Sequence, residues 1–116
     1  MSFIMQQGGD VKEGKTYELQ EWLQANEDAF ADAHPEGTKY LGTYFAIFRS
    51  DRRSGQIHTF TEMDSYGAQD AYAAASGGNG TFAKLLDELA SFFDGQSNNS
   101  TSALYKKVTA SSIFGE

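Results

Sequence analysis

The chain has 116 residues, no cysteine, and sixteen Asp and Glu against nine Lys and Arg, for a net charge of −7. A chain of this length suits a single domain spanning 1–116, which buries roughly two thirds of the surface its unfolded form exposes. Disulfides, thiolate metal sites and thiol nucleophiles are excluded. The negative charge repels nucleic-acid phosphates and anionic lipid headgroups, and no window approaches the roughly 18 apolar residues of a membrane span. A soluble, cytoplasmic protein with no nucleic-acid or membrane partner is expected.

Phe3 to Gln7 is a short apolar run stopped by Gly8 and Gly9, which reads as a first strand. From Thr16 to Ala33, the residues Leu19, Trp22, Leu23, Phe30 and Ala33 recur at helical spacing among Glu18, Glu21, Glu27, Asp28 and Asp32. This predicts an amphipathic helix with one buried stripe. Pro35 restricts His34 away from helical geometry and Gly37 adds a second stop, so the helix ends near His34. Residues 10–37 hold eight acids and two lysines; a solvated helix face explains that cluster more simply than a cation site.

The block from Thr38 to Ala75 reads as strand, turn, strand and helix without a gap. Two β-branched and aromatic runs, Lys39 to Arg49 and Gln56 to Met63, flank a polar Ser50 to Gly55 turn, as a hairpin requires. In the first run Tyr40, Gly42, Tyr44, Ala46 and Phe48 occupy one face, and Leu41, Thr43, Phe45 and Ile47 the other. Neither face is fit for full exposure, so one should meet helices and the other something apolar. In the second run Ile57, Thr59, Thr61 and Met63 oppose His58, Phe60 and Glu62. Asp64 and Ser65 offer N-cap oxygens to an Ala-rich helix reaching Ser76.

The run Gly77-Gly78-Asn79-Gly80 breaks the chain before a second helical pattern, with Phe82, Leu85, Leu86, Leu89 and Phe93 on one stripe. Asn79 or Thr81 can cap its start and Gly95 can close its end. A polar segment then leads to a last strand over Ala103 to Phe114, whose Lys106 and Lys107 suit a sheet edge. The order β, α, β, β, α(α), β is a split βαβ, a ferredoxin-like α+β domain with a four-stranded antiparallel sheet and helices on one face. Such a sheet leaves its second face bare, and a second copy of the same chain is the most economical cover, so a homodimer is expected.

Val11 to Lys15 leading into an amphipathic helix, the aromatic hairpin, and Thr59 to Ala75 as a strand-to-helix passage together resemble the dimeric α+β barrel superfamily. That group includes antibiotic-biosynthesis-type monooxygenases, stress-responsive barrel proteins and NIPSNAP-like proteins. The resemblance implies a face-to-face dimer of ferredoxin-like sheets, each protomer with a pocket between sheet and helices. In some members that pocket oxidises a phenolic or quinone-like substrate without cofactor; others bind haem, isomerise small acids or have no known activity. No residue set in this chain matches one of those catalytic patterns, so the resemblance extends to the fold.

For chemistry, His58 in its apolar strand suits a general base or a haem ligand, although a hydrogen-bonded structural histidine is the commoner occurrence. Tyr44 is its candidate catalytic companion. Trp22, Tyr40, Tyr66 and Tyr72 are the residues that would line an aromatic pocket for a planar ligand, and the same side chains serve equally as plain core. Arg49 ends a strand and Arg52 and Arg53 fall in the hairpin turn, where they suit a carboxylate, although a solvated hairpin tip is the commoner occurrence. The glycines before the last helix lack the rest of any phosphate-loop pattern and read as a connection or a lid. No metal site is expected, since His34 and His58 stand apart without carboxylates at a ligand spacing. The functional expectation is a small-molecule-binding barrel dimer, in its sharpest form a cofactor-independent monooxygenase acting on an aromatic or quinone-like substrate. A noncatalytic binding or assembly protein of the same fold is the alternative.

Overall fold

The computed structural model describes residues 3–51, 54–95 and 101–109. Four strands, β1 (Phe3–Gly9), β2 (Thr38–Phe45), β3 (Ile57–Met63) and β4 (Thr101–Lys106), form one antiparallel sheet in the order β2-β3-β1-β4. Three helices, α1 (Thr16–Asp32), α2 (Ala68–Ser76) and α3 (Thr81–Ala90), complete the ferredoxin-like α+β architecture. No helix among the described residues is long and apolar enough to cross a membrane.

The helices cover one face because one set of alternating strand positions is apolar and small. Phe3, Met5, Ile57 and Met63 are buried there with Leu19 and Phe30 of α1, Tyr72 of α2, and Phe82, Leu85 and Leu89 of α3. Phe30 is fully buried. Its ring stacks on Phe82 with centroids 5.7 Å apart and meets Tyr40 edge-on at 5.2 Å. Aromatic pairs of this kind add a fraction of a kcal/mol to about 1.5 kcal/mol beyond area burial. Trp22 ties α1 to α3: its Nε1 donates to Glu88 Oε1 at 2.9 Å, and its ring packs against Phe30 and Phe92.

Several boundaries differ from the sequence reading. β1 runs through Gly8 and Gly9 because it is a central strand, flanked by β3 and β4, and its backbone pairing outweighs the weak strand preference of glycine. A Cβ at Gly8 would collide with the Ile57 carbonyl and stand 2.9 Å from His58 Cδ2, so only glycine fits beside that histidine. The β2–β3 hairpin extends past its strands through Ala46 N to Gln56 O and Gly55 N to Ala46 O, at 2.8 and 2.7 Å. Ser65 Oγ does accept a hydrogen bond from Ala68 N, yet the helix proper begins at Ala68 after a turn. α3 starts from Gly80 without a side-chain cap from Asn79 or Thr81, and stops at Ala90 rather than near Gly95. The turn after it is held by Asp94 N donating to Asp10 O and Lys12 N to Phe92 O. β4 lies at an edge as expected but begins at Thr101 and ends at Lys106. Residues 110–114 of the expected last strand, and Arg52 and Arg53, lie outside the described residues.

The largest departure is a β-bulge. Tyr40 pairs with Thr61 and Gly42 with Phe60, so Leu41 is an extra residue in β2 and the side-chain alternation is shifted there. Thr38 and Tyr40 face the helices before it, while Gly42 and Tyr44 face the opposite side after it. Gly42 carries φ 141°, a region that L side chains rarely adopt, and a Cβ there would lie 2.9 Å from the Tyr44 ring. Gly42→Ala is therefore expected to destabilise the fold by about 1–3 kcal/mol, read as a lower urea midpoint at unchanged m-value. An unchanged midpoint would show that the bulge carries no such strain.

Candidate functional site

The sheet separates the candidate residues into two groups. On the uncovered face, β3 contributes His58 and Phe60, β2 contributes Tyr44, β1 contributes Ile4 and Gln6, and β4 contributes Tyr105 and Thr101. Of these, Gln6, Tyr44, His58, Phe60 and Tyr105 line an open groove of about 340 Å³, together with Phe45, Ala46 and Arg49. The rings of Tyr44 and Phe60 meet edge-on at 5.6 Å and form its aromatic wall.

His58 is only 3% exposed. Its Nε2 lies 2.7 Å from Thr101 Oγ1 and 3.4 Å from Arg49 Nη1. The guanidinium, which can only donate, lies at the edge of hydrogen-bond distance and favours a neutral imidazole with its proton on Nδ1, whose one Nε2 lone pair takes the shorter hydrogen bond from the Thr101 hydroxyl. Burial lowers the His58 pKa and the Arg49 charge lowers it further, against a smaller opposing effect of Asp51. An iron or other metal cation at Nε2 would have to displace both Thr101 and Arg49, against the repulsion of that guanidinium, so these residues do not fit a haem ligand. Among the described residues no three His, Cys, Asp or Glu side chains gather to hold a metal ion.

The second group lies under the helices. Tyr72 is buried, its hydroxyl donates to Gln7 Oε1 at 3.2 Å, and burial pushes its pKa up to about 12. It borders an apolar pocket of about 170 Å³, with Gln7, Thr59, Leu86, Leu89 and Phe93. Tyr40 is committed to structure. Its hydroxyl donates to Glu27 Oε2 at 2.7 Å and accepts from Thr43 Oγ1 at 2.7 Å, and Thr43 in turn accepts from Thr59 at 2.9 Å. Burial chiefly, aided by Glu27, raises its pKa.

The expected pairing of Tyr40 and Tyr44 on one strand face is thus corrected: the bulge at Leu41 sends them to opposite faces. Trp22 lines neither the groove nor the pocket, since its indole is spent on Glu88 and the α1–α3 contact. Tyr66 is exposed and lies edge-on to Phe3 at 5.9 Å, away from both cavities. Of the six candidates, His58 and Tyr44 share the groove, whereas Tyr40 and Tyr72 meet in the core against the His34 ring. Gln6, Thr101 and Tyr105 complete the His58 site and were not singled out, because nothing in a strand's own sequence says which strand it will neighbour. Arg49 was read as part of a solvated turn, whereas its side chain folds back over the sheet and is 28% exposed.

His34 accounts for the end of α1. Its Nδ1–H donates to Phe30 O at 2.8 Å, and its ring sits among Phe30, Tyr40, Tyr72 and Phe82. Burial lowers its pKa, outweighing the raising effect of the Phe30 carbonyl. Both histidines therefore bind protons less readily when folded than at the ordinary value of 6.5. Their contribution to stability is complete above that value and is lost as pH falls through it toward the folded values. The Tm should drop from about pH 7.5 to about pH 5, and drop less in the His34→Gln/His58→Gln double variant. Equal slopes for the two proteins would refute this.

No protein-family model matches the chain, and no curated protein matches it. Solved structures do. A NIPSNAP family protein of Agrobacterium tumefaciens superposes with TM-score 0.67 at 9% identity, covering 97% of this chain and 99% of that one. An uncharacterised NIPSNAP-like domain protein of Burkholderia xenovorans gives TM-score 0.66 at 7% identity, over 96% and 89% of the two chains. A protein of Nitrosomonas europaea named as a candidate antibiotic biosynthesis monooxygenase gives 0.57 at 14% identity, over 91% and 98%. At such identities the likeness is one of fold, and the chain has the ferredoxin-like α+β fold that these proteins share.

Proposed function

We propose that the chain is a small-molecule-binding barrel protein that acts as a homodimer, its ligand lying in the groove around His58 on the uncovered sheet face. The observation that carries the reading is the buried, neutral His58 beside Arg49 and between aromatic walls, on a face that also exposes Ile4, Tyr44 and Tyr105. A face of that character in a monomer is costly, and the matching face of a second copy would cover it and close the groove. The hairpin supports the same view, since Ile47 and Phe48 are 85% and 80% exposed.

In its sharper form the reading is oxidation of a phenolic or quinone-like substrate without cofactor. A phenolic proton would pass to His58 Nε2, with Thr101 turning from donor to acceptor and Arg49 holding the phenolate, which is then electron-rich enough to react with dioxygen directly, one oxygen atom ending on the ring carbon as a quinone carbonyl and the other leaving as water. Tyr44 would act as a wall for the ring. The engagement of Nε2 by Thr101, with Arg49 beside it, favours a second reading, in which the groove binds and catalyses nothing.

Light scattering during size exclusion should give a dimer at micromolar concentration, and Ile4→Asp a monomer; a monomeric wild type overturns the assembly. Oxygen uptake with a panel of naphthols and hydroquinones should fall by about a hundredfold or more in His58→Gln while their affinities change little. Binding without uptake leaves the noncatalytic reading, and absence of both overturns the groove as a ligand site.

A further inference from the structure

We propose that the groove selects aromatic carboxylates, with Arg49 as the residue that receives the carboxylate and Asp51 as the internal group the ligand displaces or joins. The proposal rests on the groove being a ligand site and names its ligand class. Among the described residues lining the groove, Arg49 is the cation, in a chain of net charge −7. Its guanidinium is held in place from two sides: Nη2 contacts Asp51 Oδ2 at 2.6 Å and Nη1 contacts His58 Nε2 at 3.4 Å. Ser54 Oγ, accepting from the Arg49 backbone N–H at 2.9 Å, fixes the turn that carries it.

The Gln6 amide adds a second donor. Tyr105 donates its hydroxyl to Gln6 Oε1 at 3.0 Å, which fixes the amide so that its NH₂ is the end left for a ligand. Among the described residues no Asp or Glu lines the cavity. A guanidinium has five N–H donors in a planar fork, of which the Asp51 and His58 contacts occupy two, so it has capacity for a second carboxylate. The remaining wall is made of the Tyr44 and Phe60 rings, the surface a flat ring would pack against. Asp51 is nearly half exposed, so its exchange for a ligand carboxylate requires no buried charge to be stranded.

Binding of benzoate and of its neutral isostere benzamide, measured by calorimetry on the full chain, tests the assignment. Benzoate should bind about tenfold or more tightly than benzamide, the usual scale of one charge-assisted pair. Arg49→Gln should remove that preference while leaving benzamide within about twofold, and Asp51→Asn should tighten benzoate alone. In proton spectra the His58 imidazole signals should move on benzoate addition and those of His34 should not. Equal affinities for the two probes, or a loss of both in Arg49→Gln protein that retains its circular dichroism, would overturn the carboxylate assignment while leaving the groove as a site. Failure of both probes and of the phenol panel would overturn the groove itself, and the assignment with it.

Discussion

A strand side chain points to one face of its sheet and cannot reach the other, and the whole arrangement of possible chemistry in this protein follows from that constraint. His58 and Thr59 are neighbours in sequence, yet His58 opens into the groove while Thr59 borders the pocket beneath the helices. The bulge at Leu41 applies the same constraint to β2. Through one extra residue it commits Tyr40 to the helix side and Tyr44 to the open side, and the positive φ of Gly42 is what lets the chain make the shift.

The two faces are resolved by different physics. Beneath the helices much of the polar chemistry is consumed internally: Glu27, Tyr40, Thr43 and Thr59 form one chain of hydrogen bonds, and Tyr72 is paired with Gln7. The space there includes a small apolar pocket walled by α3 and a wider opening of about 480 Å³ between α1 and β2. On the open face the polar groups converge on a space instead. Thr101, Arg49 and Gln6 gather around His58 with no helix above them, and exposed Ile4, Tyr44 and Tyr105 border them.

Electrostatics sharpens the difference. The surplus acids of the first third of the chain fall largely on α1 and its flanks, on the helix side, while the groove holds a guanidinium and a neutral imidazole. A histidine kept neutral by burial and by an adjacent Arg49 retains a lone pair at neutral pH. The same pairing makes the groove inhospitable to cations and receptive to anions.

Element order, the amphipathic stripe of α1, the helical stripe of α3, the hairpin and the ferredoxin-like topology were legible in the residues because each is written in local periodicity and turn chemistry. Phe30, Leu19, Phe82 and Leu89 could be assigned to the core on that basis alone. The site was not legible, for two reasons. The bulge is a property of pairing between β2 and β3, invisible in the alternation of β2 by itself, and it undid the apparent alliance of Tyr40 with Tyr44. The partners of His58 come from β4 and from the hairpin, 43 and 9 residues away, and only the strand order β2-β3-β1-β4 and the fold-back of Arg49 bring them together. The sequence by itself determined which segments become strands and helices and that one strand is apolar on both sides, since those depend on neighbours along the chain; which side each ring faces and what surrounds His58 were decided by tertiary pairing, which joins residues that local patterning cannot relate.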